Sequence, residues 1–442
     1  MRIQLSEHFT YKKLLRFVFP SIVMMIFTSI YGVVDGLFVS NYVGKTSFAA
    51  VNLIMPLIMI LSALGFMMGT GGSAIVAKTM GEGKKEKANA YFSMMVGVAV
   101  CGGILLSTLG FLFIRPIAVW LGAEGKMLGE CVLYGRISMI SLTAFMLQNV
   151  FQSFFVAAEK PHMGLGVTVA AGCTNMFLDF LFVGVFRWGV AGAAGATMVS
   201  EMIAGVLPLI YFARKNSSLL RLKWARWEWR IILKACTNGS SELMTTLSTS
   251  VVNMLYNFQL MRFAGENGIA AYGVIMYVNL VFIATYLGYS IGSAPIVGFH
   301  YGAEGHDELK NLFQKSLKLI AAWGAALVAL AFVLSGTLAG IFVGYDAELF
   351  AMTVRGFRLY AVSFLICGIN IYGSAFFTAL NNGVISAAIS FLRTLVFQFA
   401  AVLILPEFLG IDGIWLAIVA AELLAMAVTV LFFVKKRRVY HY

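Results

Sequence analysis

Charge is scarce in this chain. Of its 442 residues, 12% are Asp, Glu, Lys or Arg, against about 25% in an ordinary soluble protein, while 60% are hydrophobic. Too few charged side chains exist to clothe a soluble domain, so most of the molecule must face lipid. Cysteine offers no scaffold either. Cys101, Cys131, Cys173, Cys236 and Cys367 stand singly, mostly within apolar runs and without CxxC spacing, which argues against a disulfide framework or a thiolate metal site and leaves small buried hydrophobes. Catalytic signatures are weak: there is no HExxH or GxxxxGK[ST], and the GxSxG at residues 288–292 lies inside an apolar run rather than at a strand-to-helix turn. Residues 69–74 satisfy GxGxxA, but inside an apolar run rather than between a strand and a helix. Gly65 with Gly69 and Gly288 with Gly292 instead have the GxxxG spacing that lets helix backbones approach. His300 and His306 sit near one loop with no accompanying ligand set. A cleavable leader is not expected, because the apolar segment from Phe17 to Val39 is too long and more spans follow it.

Long apolar runs are what the chain does have. Each spanning helix needs about 20 mostly apolar residues to satisfy its backbone internally in hydrocarbon. The runs place helices at 15–40, 50–79, 90–114, 131–157, 163–186, 190–213, 232–262, 270–300, 311–335, 352–379, 384–405 and 412–434. The expected fold is an all-α polytopic membrane protein of twelve transmembrane helices in two pseudo-symmetric six-helix bundles. A β-barrel is disfavoured, since its strands alternate over about ten residues.

Orientation follows from the basic residues. With both termini cytoplasmic and residues at span ends assigned to the nearer side, 23 of the 32 Lys and Arg lie inside, 8 outside, and Arg393 within a span. The net charge of +12 thus reads as topology and lipid contact, carried by Lys12, Lys13 and Arg16, by Lys84, Lys85 and Lys87, and by residues 435–438, and not as nucleic-acid binding. Residues 214–231, containing Trp224, Trp227 and Trp229 among basic side chains, read as an interfacial linker on the inner surface between an N-lobe, 1–213, and a C-lobe, 232–442.

The two lobes align at a fixed offset of 221 residues. Ala49, Ala50, Ile54 and Met55 meet Ala270, Ala271, Ile275 and Met276, and Gly71, Ile75, Val76 and Gly81 meet Gly292, Ile296, Val297 and Gly302. The same offset pairs Gly44 with Gly265, Gly189 with Gly410, and Glu201 with Glu422. Six spans per unit put both lobes in the same orientation, a parallel repeat of the kind found in transporters.

Ionisable residues inside spans cost at least about 2.5–3.5 kcal/mol each at the centre of a lipid-exposed helix. Asp35 and Asp179 both fall in the outer half of outward-running spans, Asp35 about 10 Å beyond the middle. Asn175 precedes Asp179 by four residues and Thr197 precedes Glu201 by four, so each pair shares a helical face. Three helices thus bring oxygen ligands to one depth, and two confined carboxylates must either share a proton or hold a cation. Asp35, Asn175, Asp179 and Thr197 form the candidate cation-coupling set, with H+ or Na+ as the ion and no other cofactor or metal. Glu201, Glu242, Arg393 and Glu422 are secondary polar positions. Glu242, early in the seventh span, is equally compatible with capping or loop pairing. Arg393 has no partner that the sequence names.

These stretches resemble the multidrug and toxic compound extrusion (MATE) family, and its MepA-like bacterial branch in particular. The carriers are SIYGVVDGLFVSNYVG around Asp35, GGSAIVAKTMGEG ending the second span, TNMFLDFLFVG around Asn175 and Asp179, GVAGAAGAT before Thr197, and GSSELM at Glu242. The resemblance implies a secondary active transporter of the bacterial cytoplasmic membrane, not an enzyme, acting as a monomer and exporting cationic or amphipathic organic compounds in exchange for H+ or Na+. It also implies a cation site at positions matching Asp35, Asn175, Asp179 and Thr197. The acids that one branch of the family carries deep in the seventh and tenth spans have no counterpart here, which leaves a C-lobe ion site without support. A lipid-linked saccharide flippase of the same superfamily is the alternative, favoured by a cationic central cavity. An intramembrane lipid-modifying enzyme is weaker still, for want of a catalytic constellation.

Overall fold

The computed structural model describes residues 3–442, with every side chain among them except that of Lys45. The helices are α1 (Tyr11–Phe38), α2 (Lys45–Gly81), α3 (Lys85–Trp120), α4 (Gly125–Ala157), α5 (Pro161–Asp179), α6 (Val190–Ala213), α7 (Trp229–Asn238), α8 (Ser240–Gly302), α9 (His306–Val343), α10 (Ala347–Ala361), α11 (Phe364–Ala379), α12 (Gly383–Phe391), α13 (Gln398–Leu409) and α14 (Ile411–Tyr440). Three π-helical turns, Val39–Val43, Phe180–Val185 and Leu392–Phe397, prolong α1 and α5 and join α12 to α13.

Ten of these helical segments are long and apolar enough to cross a membrane, and the pair α10 and α11, bent by 46°, makes an eleventh. The twelfth comes from α8. Its 63 residues would extend roughly 95 Å if straight, about three times the apolar thickness of a bilayer. At Gly265 the backbone leaves helical space, with φ 60° and ψ −148°. The chain doubles back there: Tyr256 and Tyr272 stack with ring centroids 4.9 Å apart, although sixteen residues of continuous helix would hold them about 24 Å apart. Only glycine adopts this backbone without strain, and its repeat partner Gly44 also has positive φ, as do Gly189 and Gly410. The offset that aligned these glycines in sequence therefore aligns the turns between spans.

The same offset relates the packing inside each lobe. Phe92, Phe155 and Phe212 cluster in the first, with Phe212 centroids 5.0 Å and 5.2 Å from the other two. Their mates Phe313, Phe376 and Phe433 cluster in the second, Phe313 lying 4.9 Å from Phe433 and 5.0 Å from Phe376. Edge-on and tilted ring pairs of this kind add about 0.5–1.5 kcal/mol each beyond their buried area.

Two spans depart from the sequence reading. The expected seventh span, 232–262, is divided at Gly239: α7 is a separate amphipathic helix packed chiefly on α2 of the other lobe, and the span itself starts at Ser240. Asn238, the last residue of α7, binds across the boundary through its amide to the Gly71 and Thr378 carbonyls at 3.3 and 2.9 Å. The expected tenth span, 352–379, is the bent α10–α11 pair, broken where the Ser363 N–H takes the Tyr360 carbonyl in a tight turn.

Glycines also set how closely the lobes approach. On the side where the chain ends lie, a Cβ at Gly81 would collide with the Phe299 carbonyl and one at Gly302 with the Lys78 carbonyl, and Gly71 and Gly292 abut Gly239 and Val18 in the same reciprocal way. Each of these contacts maps onto the other by the repeat offset. Near the opposite side, Gly32, Gly36 and Gly273 have nothing within 4 Å of where a Cβ would stand. The lobes are thus pressed together at the terminal face. The segment 3–10 straps that face: the Leu5 N–H donates to Glu159 at 2.8 Å, the Phe9 N–H to Glu308 at 2.9 Å, and Asn311 and Lys315 donate to the Phe9 carbonyl.

Candidate functional site

Asp35 lies one turn before the end of α1, and its carbonyl accepts the N–H of Val39, where the first π-helical turn begins. Asp179 is the last residue of α5, immediately before the second π-helical turn. Such turns insert an extra residue per turn and recur at functional sites because they redirect side chains. Asn175, one turn earlier on α5, faces α6 and donates to the Thr197 hydroxyl at 3.5 Å. Asp179 is wholly buried and Asn175 nearly so.

The four residues selected from the sequence therefore come together. The Asp35 and Asp179 carboxyls are electrostatic neighbours, and Asp35 Oδ1, both Asp179 oxygens and Asn175 Oδ1 are buried without any donor among the described residues. Four acceptors converge and nothing donates to them. Ionised carboxylates only accept, so a neighbouring pair calls for a shared proton or a cation to offset the cost of burial.

Glu201, one turn beyond Thr197 on α6, stands beside the Ser141 hydroxyl with Asp35 in electrostatic reach. Among the described residues no Lys, Arg or His acts on any of these three acids. Tyr31 joins the cluster near Asp35 and Glu201 and accepts the Gln148 amide at 3.4 Å. Sequence reasoning passed over this tyrosine, although its four-residue spacing from Asp35 puts both on one face of α1.

The repeat partner of Glu201 has the opposite environment. Glu422 is buried in α14, and its two oxygens take Arg393 Nε at 2.8 Å and the Asn370 amide at 2.7 Å. Thr429 donates to the Asn370 carbonyl oxygen at 3.0 Å, which orients the amide. Arg393 lies in the third π-helical turn. Its unnamed partner is thus Glu422. The position equivalent to Arg393 in the first lobe is Gly172, against which the Phe27 and Tyr31 rings pack. One lobe neutralises its buried acid and the other leaves three acids without a cation.

Glu242, Arg393 and Glu422 belong to a separate feature, a cavity of about 680 Å³ between the lobes. Glu242 corrects the capping or loop-pairing reading. It occupies the first turn of α8, but its carboxylate makes no hydrogen bond or ion pair among the described residues and lines the cavity. Met25, Phe66, Met276 and Tyr277 supply apolar wall, and Asn149, Gln152 and a row of hydroxyls supply polar wall. The cavity joins both lobes, as α1, α2 and α4 face α8, α11 and the turn containing Arg393 across it. No three His, Cys, Asp or Glu side chains are arranged to hold a metal ion among the described residues.

Known proteins share this architecture along its whole length. The MepA multidrug export protein of Staphylococcus saprophyticus is 22% identical over 436 residues, covering 97% of this chain and 94% of that one. A solved structure titled as MATE in complex with MaL6 superposes with a TM-score of 0.93 at 22% identity, covering 98% of both chains. Another, described as the outward-facing conformation of a multidrug resistance MATE family transporter of the MOP superfamily, gives 0.91 at 23% identity over 98% of both. The MatE family model matches residues 20–181 and again 243–403, one match in each lobe and together most of the chain. The protein belongs to the MatE family of membrane transporters.

Proposed function

We propose that the protein is a multidrug efflux antiporter of the bacterial cytoplasmic membrane, both termini cytoplasmic, that exports cationic or amphipathic organic compounds in exchange for H+ or Na+. The observation that carries the coupling is the donor-less cluster of Asp35, Asp179 and Asn175 in one lobe, set against the neutralised Glu422 in the other. A proton or Na+ entering from outside bridges the two carboxylates. Thr197, held by Asn175, offers a further oxygen beside them. Because Asp35 lies one turn before a π-helical turn and Asp179 immediately before another, a change of charge between them bears on how α1 and α5 bend, and α1 packs directly on α8 of the other lobe. That link gives the ion differential affinity for two arrangements of the lobes, which is what shifts a conformational equilibrium.

With the positive-inside orientation, the pressed terminal face is cytoplasmic and this conformation is outward-facing. The apolar outer faces of the spans lie in lipid, and the basic stretch 214–231 lies along the inner leaflet between N-lobe 1–213 and C-lobe 232–442. A saccharide flippase carrying phosphates needs a cationic cavity, whereas the one guanidinium lining this cavity is already paired. The test is dye efflux from vesicles carrying the single variants Asp35→Asn and Asp179→Asn at normal protein levels. Loss of ion-driven efflux in both is expected, and intact efflux in both removes the coupling role.

A further inference from the structure

The central cavity contains a charge that the coupling scheme does not use. Three charged side chains line it: Glu242, Arg393 and Glu422. The latter two cancel, since Arg393 Nε donates to Glu422 Oε1 at 2.8 Å. Glu242 is left as the sole uncompensated charge of the wall. Its backbone N–H donates to the Gly239 carbonyl at 3.1 Å and its own carbonyl accepts the Thr246 hydroxyl at 2.9 Å, while its carboxylate oxygens have no hydrogen-bond partner among the described residues and are available to an occupant.

Arg393 is also not used up. The bond to Glu422 takes Nε, and Nη1 and Nη2 have no acceptor among the described residues although the side chain borders the cavity. A guanidinium keeps its charge under all conditions of interest and presents its N–H groups in a fixed fork. With its charge balanced by Glu422, it serves the cavity chiefly as a hydrogen-bond donor. Asn370 and Thr429 hold Glu422 from behind, so the fork is fixed in place.

We propose, building on the efflux reading, that the cavity recognises amphipathic aromatic molecules that are bipolar, with a cationic nitrogen bound by Glu242 and a carboxylate or carbonyl bound by the free N–H groups of Arg393. The two contacts fix orientation, and the body of the molecule lies against Phe66, Met25, Met276 and Tyr277. Thioether and aromatic walls tolerate varied ring systems. Selection is therefore by the two ends. The cargo site belongs mainly to the second lobe and is distinct from the acids of the first.

Binding to the purified full-length protein in detergent, with no ion gradient, tests this apart from coupling. Three xanthene dyes serve as probes: a zwitterion with dialkylammonium and carboxylate groups, its cationic ethyl ester, and an uncharged analogue. Wild type is expected to bind the zwitterion tightest. Glu242→Gln weakens zwitterion and ester by roughly 10- to 100-fold, the range for a hydrogen bond to a charged group, while the uncharged dye binds as before and so reports intact folding. The double variant Arg393→Met/Glu422→Gln, which preserves charge balance, abolishes the preference for zwitterion over ester. Equal ester affinity in wild type and Glu242→Gln overturns the cation anchor. Persistence of the zwitterion preference in the double variant overturns the acceptor contact. Either result leaves the role of Asp35 and Asp179 untouched.

Discussion

Asp35 and Glu422 show how one scaffold gives two answers to the problem of burying a carboxylate. Removing a charge from water costs several kcal/mol unless a partner replaces the solvent. Glu422 has Arg393 and Asn370 in place of solvent and forms part of the cavity wall. Arg393→Met alone should destabilise the protein by about 3–5 kcal/mol by stranding Glu422, whereas Arg393→Met/Glu422→Gln should recover most of that loss; thermal unfolding in detergent measures both. Asp35 and Asp179 have no cationic partner among the described residues, and in the proposed coupling a proton or Na+ takes that place. Asp179→Asn supplies an amide donor to the lone acceptors, and this variant should unfold at a higher temperature than wild type while losing coupled transport. A fall in stability together with transport would instead mark Asp179 as structural. The grouping of Asp35, Asn175, Asp179 and Thr197 was legible because depth and four-residue spacing are properties of a single helix. Glu242 was not, because nothing local tells an acid in a helix's first turn whether it caps that helix or faces a cavity. The bond between Arg393 and Glu422 spans 29 residues, a distance that spacing along one helix cannot reach.

At the scale of elements, glycine sets the turns between spans and the approach of the lobes. Gly265 has φ of +60° and no atoms near its missing Cβ, so Gly265→Ala isolates backbone strain from packing. It should cost about 1–3 kcal/mol, again read by thermal unfolding. At Gly81 and Gly302 the backbone is helical and the cost is steric. Gly302→Val should hold the lobes apart on the terminal face, so a cysteine introduced there reacts faster with a membrane-impermeant maleimide applied from that side; an unchanged rate would contradict the close approach. The apolar runs located the spans because lipid demands them, and the repeat offset aligned Gly44 with Gly265 before any coordinates did. The breaks at Gly239 and after Ala361 escaped notice. The break after Ala361 falls inside a run that stays apolar across it, and hydropathy is blind to a bend made by tertiary contact; the polar stretch 237–242 around Gly239 did mark a break, which the span 232–262 ran through.

For the whole molecule, duplication builds two similar lobes and substitution makes them unequal. The reciprocal collisions at Gly81 and Gly302 and the paired Phe92 and Phe313 clusters are shared. Gly172 opposite Arg393 is not. The strap 3–10 ties Glu159 in one lobe to Glu308 in the other, so Glu308→Ala should loosen the terminal face and raise labelling there as Gly302→Val does. The central claim is that Asp35 and Asp179 link ion movement to cargo movement, without forming the cargo path. Its most direct test is dye transport in proteoliposomes under separately imposed pH and Na+ gradients, with downhill dye exchange measured in parallel. The account predicts that wild type concentrates dye against its gradient under at least one of the two, and that Asp35→Asn/Asp179→Asn keeps downhill exchange but concentrates nothing. Concentration of dye by the double variant at the wild-type level would contradict it.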